Sequence, residues 1–177
     1  MSGHSKWSQI KHQKEITDKK RGQNFSKLLK FISVAAKDDS NPKFNIRLKS
    51  AIQKAKDANV PNDTIDRAVK HANEEKNLEE LIFEAYGEGG IAILIEAITD
   101  NRNRTVAEIK SILNKNGGRW AESGSVRWAF EKNSETEEWH SKFPQTLPEE
   151  NLEKLKKLLN EIESHDDVQK IFTNLKS

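Results

Sequence analysis

The sequence predicts an α+β protein in which an N-terminal three-helix bundle is followed by a sheet domain. Before residue 75, apolar residues recur every three or four positions, which is typical of amphipathic helices. After residue 78, the nearly continuous apolar segment Ile91–Thr99 lies between a glycine-rich turn and a polar loop, which is typical of a buried strand. The predicted domains are residues 1–75 and residues 78–177.

Three apolar stripes define the helices of the first domain. They comprise Phe25, Leu28, Leu29, Ile32 and Ala36, then Phe44, Leu48, Ala51, Ile52 and Ala55, then Ile65, Ala68, Val69 and Ala72. Pro42 and Pro61 stand where a first turn tolerates proline. Because each stripe is too short to support an isolated helix, we expect the three to pack as a bundle. The polar segment His71–Glu80 then links the domains.

The second domain begins with a predicted hairpin and a helix. Leu81–Tyr86 is a leading strand, and the glycine-rich residues 87–90 form its reversal into Ile91–Thr99. The next helix is expected to begin at Thr105, because Thr105 and Glu108 have the spacing of a capping box. Gly117-Gly118 is expected to end this helix.

The remaining elements complete a ferredoxin-like order. They are the strands Arg119–Ala121 and Val126–Glu131, a helix around Leu152–Ile162 and a closing strand around Val168–Phe172. The order from Ile91 is therefore βαββαβ, with the leading strand as an addition. The connection Lys132–Pro148 is polar, and we expect its aromatic residues Trp139 and Phe143 to anchor it to the domain.

Charge and composition limit the class of protein. Residues 1–30 carry eight basic and two acidic groups, a net charge of +6, whereas residues 131–177 carry seven lysines and eleven acids, a net charge of −4. A basic arm favours an anionic partner such as nucleic acid or the ribosome. The chain has no cysteine, no long apolar run and no apolar segment near its lysine-rich start. These features predict a cytoplasmic protein without disulfides, membrane spans or a secretory signal.

Two groups of residues are candidates for binding nucleic acid. The first group neutralises phosphates and comprises Lys6, Lys11, Lys14, Lys19, Lys20, Arg21 and Lys27. Trp7 lies among these cations and either stacks on a base or anchors the arm by burying its ring. The second group is Arg102 and Arg104, which precede a predicted helix N-terminus, a position that attracts anions. Alternatively, the polar residues around them cap the turn and the arginines are solvated.

No pattern predicts a cofactor, a metal site or a small-molecule substrate. The five histidines show no paired-ligand spacing. The glycines of residues 87–90 precede a strand and lack a following Lys-Ser/Thr, so they indicate a hairpin turn and not a phosphate loop. One enzyme alternative exists, because some βαββαβ domains hydrolyse acyl phosphates with an arginine and an asparagine. Their phosphate-binding loop is not matched here.

Motifs along nearly the whole chain resemble the YebC family. They are Gly3-His4-Ser5-Lys6-Trp7 with Ile10-Lys11-His12, Lys19–Arg21, Tyr86-Gly87-x-Gly89-Gly90, Thr99–Val106, Gly117-Gly118, Gly124-Ser125-Val126, Asp166–Gln169 and Asn174. His12 joins the nucleic-acid-binding candidates through this resemblance.

The resemblance implies a non-enzymatic, cytoplasmic, DNA-binding regulator of transcription. The family also includes mitochondrial translational activators, so the alternative is a translation factor that uses the same basic surface on ribosomal RNA. Family members have an N-terminal helical domain and two α/β domains, one inserted in the other. Here the connection at residues 132–148 is short, so we expect the inserted third domain to be missing.

Overall fold

The computed structural model describes residues 18–74 and 77–176, which divide into two compact units. The helical unit contains the described residues up to 80 and residues 98–102, and the sheet unit contains residues 81–97 and 103–176. The α+β class predicted from the sequence is confirmed. Within the described ranges, no helix has both the length and the apolar character that a bilayer crossing requires.

Three helices form the helical unit: α1 (Asp18–Ala36), α2 (Ile46–Asp57) and α3 (Asn62–Lys70). The three predicted stripes meet in one core, to which Ile32, Leu48 and Ile65 contribute fully buried side chains. Phe44 is the exception, because it lies before the start of α2 and is 79% exposed. Asn45 fixes the start of α2, because its side-chain oxygen accepts a hydrogen bond from the Leu48 amide at 2.9 Å. Apolar burial from three short helices therefore stabilises a bundle that none of them would maintain alone.

The rest of the chain alternates strands with two helices. In order these are β1 (Glu79–Tyr86), β2 (Ala92–Thr99), α4 (Arg102–Lys115), β3 (Arg119–Ala121), β4 (Phe130–Lys132), β5 (Trp139–Ser141), α5 (Glu149–Glu163) and β6 (Val168–Thr173). Four strands form one sheet in the order β3-β1-β2-β6. In this sheet β3 is antiparallel to β1, and β6 is antiparallel to β2.

Both faces of this sheet are buried, each under a different layer. On one face Ile93 belongs to a core that includes Leu113 of α4 and Leu158 of α5. On the other face Leu94 belongs to a core that includes Trp139 of β5. Strand β2 is thus buried on both sides, which explains why its sequence is almost continuously apolar.

One position in the sheet differs from the predicted βαββαβ order. The predicted strand Val126–Glu131 does not join the sheet, because residues 127–129 form a 3-10 turn and β4 pairs with β5 in a separate hairpin. The place between β2 and β3 is taken by β1, the predicted leading strand. Strand β1 has eight residues and a tight turn into β2, whereas β4 has only three residues. The longer strand, β1, therefore lies next to β2 in the sheet.

The connection after β4 is anchored by one of its two aromatic residues. Trp139 is 5% exposed, and its Nε1 donates a hydrogen bond to Glu96 Oε1 at 2.9 Å, so its predicted role as an anchor is confirmed. Phe143 is 56% exposed, so the same prediction is wrong for that residue.

Candidate nucleic-acid interface

Net charge differs sharply between the two parts of the described chain. Residues 18–74 carry thirteen Lys and Arg against seven Asp and Glu, a net charge of +6, which Glu79 and Glu80 lower to +4 over the described residues up to 80. Residues 81–176 carry thirteen against seventeen, a net charge of −4. A polyanion such as nucleic acid is therefore attracted to the helical part of the chain rather than to the sheet part.

Helix α1 presents a row of lysines on one face. At about 100° per residue, the four members of this row fall within roughly one quadrant of the helix surface; they are Lys19, Lys20, Lys27 and Lys30. The buried residues Ile32 and Ala36 lie on the opposite half of the helix. Arg21 lies outside the row, and its guanidinium is 3.8 Å from the carboxylate of Asp18. Three lysines of the predicted phosphate-binding set, Lys19, Lys20 and Lys27, therefore lie on one face of α1. Lys30, which was not in that set, lies on the same face.

Five predicted residues lie outside the described part of the chain. They are Lys6, Trp7, Lys11, His12 and Lys14. Their part in binding nucleic acid stays a prediction.

The cations of α2 have roles within the helical unit itself. Lys54 and Lys56 lie in the last turn, where the partial negative charge of the helix C-terminus favours a cation. Arg47 forms an ion pair with Glu80, and its guanidinium carbon lies 5.1 Å from the ring centroid of Phe31. Helix α1 is the candidate for a phosphate-binding surface because four of its lysines lie within one quadrant of its surface.

The arginine pair lies inside α4 and not ahead of it. Helix α4 begins at Arg102, so Arg102 and Arg104 occupy the first turn, where the helix dipole disfavours a cation. Carboxylates offset this effect: Arg104 Nη2 lies 2.8 Å from Asp167 Oδ2, and Arg102 Nη1 lies 3.8 Å from Glu79 Oε2. A phosphate would have to compete with these carboxylates. It would displace the longer pair of Arg102 more easily, and both assignments stay predictions.

Thr105 is not the N-cap of α4, so the predicted capping box is wrong. The helix begins one turn earlier, which places Thr105 fully buried within it. Its hydroxyl donates a hydrogen bond to Asp167 Oδ2 at 2.7 Å, and Asp167 itself is 2% exposed. Asp167 is the residue just before β6, and its buried carboxylate therefore links the start of that strand to α4.

Glu108, His165 and Asp167 lie close enough together to hold a metal ion. However, His165 Nε2 is 2.7 Å from Glu108 Oε2, and His165 Nδ1 accepts a hydrogen bond from the Asp167 amide at 3.1 Å. Both ring nitrogens of His165 are thus engaged in hydrogen bonds. The group is a hydrogen-bonded link between α4 and the start of β6.

A shallow cleft of about 300 Å³ lies beside the end of α4. It is lined by Glu88, Lys115, Asn116, Gly117, Lys154 and Lys157. Lys154 pairs with Glu88 at 3.6 Å, and Lys115 pairs with Glu161 at 2.9 Å. The lining includes no arginine, so the arginine and asparagine that acyl-phosphate hydrolysis needs do not converge in this cleft.

A buried carboxylate on β1 was not anticipated from the sequence. Glu84 is 4% exposed, and its Oε1 accepts a hydrogen bond from the Gly124 amide at 2.6 Å. Its Oε2 accepts from the Val126 and Arg127 amides at 2.7 and 2.8 Å. Such charge-assisted hydrogen bonds hold the segment 124–127 against the sheet. The available signal was a glutamate within the otherwise apolar and aromatic run Leu81–Tyr86.

Comparison with known proteins gives consistent matches. Residues 5–75 match the TACO1/YebC protein N-terminal domain, and residues 78–142 match the TACO1/YebC second and third domain. Proteins named probable transcriptional regulatory protein from Brachyspira hyodysenteriae and Halothermothrix orenii are 51% and 52% identical over 137 and 136 residues. These alignments cover 75% of this chain but 56% and 54% of the two relatives. The chain thus spans about half the length of the curated relatives it matches.

A crystal structure of a conserved hypothetical protein from Aquifex aeolicus is also similar. The TM-score is 0.82 at 32% sequence identity, and the match covers 90% of this chain and 91% of that one.

Proposed function

Because this chain belongs to the TACO1/YebC family, we propose that it is a non-enzymatic regulator of transcription that binds DNA in the cytoplasm. The names of relatives that share half of the aligned residues support the regulatory role. The single observation that carries DNA binding is the row of lysines on α1, within a region of net charge +6.

The spacing of the row suits a nucleic-acid backbone. From Lys19 to Lys30 the helix rises about 16 Å, at about 1.5 Å per residue. That length corresponds to roughly five steps along one DNA strand. Lysines neutralise phosphates and release counterions, but they do not distinguish bases. Binding should therefore depend strongly on salt and weakly on sequence.

This function does not depend on the family's third domain. We expect that domain to be absent near residues 132–148, whereas the proposed cations precede residue 31. The domains at residues 1–75 and 78–177 would suffice, with the helical domain and the arm before it supplying the charge. Arg102 would add a further contact.

The test is a double substitution, Lys19→Ala with Lys20→Ala, compared with Lys154→Ala and Lys157→Ala. Both double variants lose two positive charges, but only the first pair lies on α1. Fluorescence anisotropy would measure binding to DNA duplexes of unrelated sequence. The affinity of the Lys19/Lys20 variant should fall by the same factor for every duplex. The slope of log affinity against log salt should fall by about 2 in magnitude. The Lys154/Lys157 variant should bind like the unmodified protein.

Two results would overturn the proposal. Unchanged affinity in the Lys19/Lys20 variant would show that the row on α1 does not contact DNA. Tighter binding of a structured RNA than of duplex DNA at the same salt concentration would favour a translation factor.

A further inference from the structure

The sheet unit exposes two aromatic side chains that touch each other. Trp128 precedes β4 and is 61% exposed, and Phe143 follows β5 and is 56% exposed. Their ring centroids are 5.5 Å apart, and the ring planes are inclined at 53°. Single exposed apolar side chains are common, whereas exposed aromatic side chains in mutual contact form a candidate binding surface.

The pair is held in place by hydrogen bonds on both sides. Trp128 Nε1 donates to the Ser125 carbonyl at 2.8 Å, and Ser125 lies in the segment that the buried Glu84 binds through three amides. The Phe143 carbonyl accepts from Asn174 Nδ2 at 3.2 Å. Both aromatic rings therefore project from fixed backbone, which lowers the entropy lost when a ligand binds.

Two exposed cations flank the pair in sequence, although the unit as a whole is acidic. Residues 123–130 and 139–148, which carry the two rings, contain Arg127 and Lys142 and no aspartate or glutamate. Arg127 and Lys142 are both exposed and are the neighbours of Trp128 and Phe143 in sequence. Acids border these segments: Glu122 precedes the first, four glutamates lie at residues 131–138, and the buried Glu84 carboxylate binds the backbone of residues 124–127.

We propose that Trp128 and Phe143 form a stacking site for an unpaired base of single-stranded nucleic acid. A base stacked on one ring would meet the other at an inclined angle, an arrangement that aromatic groups favour. Arg127 and Lys142 would attract the phosphates on either side of that base. Every base has a π-face, so the site tolerates many sequences. The inference rests on the proposed function and adds to it the class of strand that the sheet unit binds.

The test compares three substitutions at one exposed position: Trp128→Ala, Trp128→Leu and Trp128→Phe. Anisotropy would measure binding to 12-nucleotide oligo(dT), to oligo(U) and to a 12-base-pair DNA duplex. Stacking contributes about 1–3 kcal/mol per base, so Trp128→Ala should weaken single-strand binding about 5- to 150-fold and leave duplex binding unchanged. Trp128→Leu keeps apolar bulk without a π-face and should resemble Trp128→Ala. Trp128→Phe should retain most of the affinity.

A control is available at Trp120, which is half-buried and packs against Phe83 at 5.3 Å between ring centroids. Trp120→Phe should leave single-strand binding unchanged. Loss of oligo(dT) and oligo(U) binding together in Trp128→Ala would support the site. A stronger preference for one of the two in the unmodified protein would identify its natural strand.

Three outcomes would overturn the inference. Full affinity in Trp128→Leu would show that the pair is an apolar docking surface, and self-association abolished by Trp128→Ala would show that a second copy covers it. Unchanged single-strand binding in Trp128→Ala, together with weakening in the Lys19/Lys20 variant, would refute stacking and leave the proposed function standing. Failure of the unmodified protein to bind either strand type would refute both.

Discussion

Replacing Glu84 by glutamine tests whether one buried carboxylate fixes the segment 124–127. The carboxylate accepts three backbone amides at 2.6–2.8 Å, one at Oε1 and two at Oε2. Glutamine has nearly the same shape, so Glu84→Gln removes the charge and one acceptor without creating a cavity. The variant therefore isolates the hydrogen bonds from packing.

The expected loss can be worked from this geometry. If the glutamine oxygen faces Val126 and Arg127, its NH₂ group faces the Gly124 amide, and two donors cannot bond to each other. A charge-assisted hydrogen bond contributes about 1.5–3 kcal/mol and a neutral one about 0.5–1.5 kcal/mol, so each retained bond weakens by about 1 kcal/mol. The hydrogen bond from the Gly124 amide is lost, but Gly124 is exposed, so water can accept from that amide and offset part of the cost. The free energy of unfolding should fall by about 2–4 kcal/mol in total.

Urea unfolding followed by tryptophan fluorescence would measure this loss, since three of the four tryptophans lie in the sheet unit. With a urea dependence of about 2 kcal/mol per molar, the midpoint should fall by about 1–2 M. Glu96→Gln is the matched control, because Glu96 accepts a single hydrogen bond, from Trp139 Nε1, and glutamine keeps that acceptor. A midpoint shift in Glu84→Gln no larger than that in Glu96→Gln would refute the reasoning.

Two further predictions concern stability. A methyl group added at Gly118 would lie 2.8 Å from Leu113 Cδ2, so Gly118→Ala should lower the free energy of unfolding by about 1–3 kcal/mol. Gly22 of α1 has no atom within 4 Å of such a methyl, so Gly22→Ala should raise the free energy of unfolding by about 0.5–1 kcal/mol. Shifts of the urea midpoint in the same direction in the two variants would contradict this contrast. Hydrogen bonds from Lys115 and Asn116 lower the pKa of Glu161, so their stabilising effect is present above the pKa of the unfolded chain and is lost as the pH falls through the folded-state value. The difference in urea midpoint between Glu161→Gln and the unmodified protein should therefore shrink in acid, and a difference that stays constant with pH would exclude this linkage.

The parts of the fold that follow from local periodicity were predictable. The stripes containing Ile32, Leu48 and Ile65 meet in one core because helical spacing places their members on one face. Strand β2 was predictable because burial on both faces leaves its sequence apolar. The lysines of α1 are likewise a local pattern, so part of the candidate interface could be recognised from the sequence.

The errors arose where a residue's partner is distant in the sequence. Thr105 has the spacing of a cap, but its partner is Asp167, 62 residues later. The ion pair of Arg104 with the same carboxylate was not foreseen either, while the assignment of Arg104 to a nucleic-acid interface stays a prediction. Phe143 was expected to anchor the connection 132–148 because it is aromatic, although it is exposed beside Trp128. None of these contacts has a signature in the spacing of neighbouring residues.

Glu84 is also the residue that connects the fold to the proposed stacking site. Burying an ionised carboxylate costs desolvation energy that only well-placed partners offset, and an apolar side chain at this position would avoid that cost. What an apolar side chain could not do is select one backbone conformation for residues 124–127. The three amide hydrogen bonds make that selection, and the Ser125 carbonyl then orients the exposed ring of Trp128. A stacking site needs a ring of fixed orientation, and the Glu84 hydrogen bonds supply that orientation to Trp128 through Ser125.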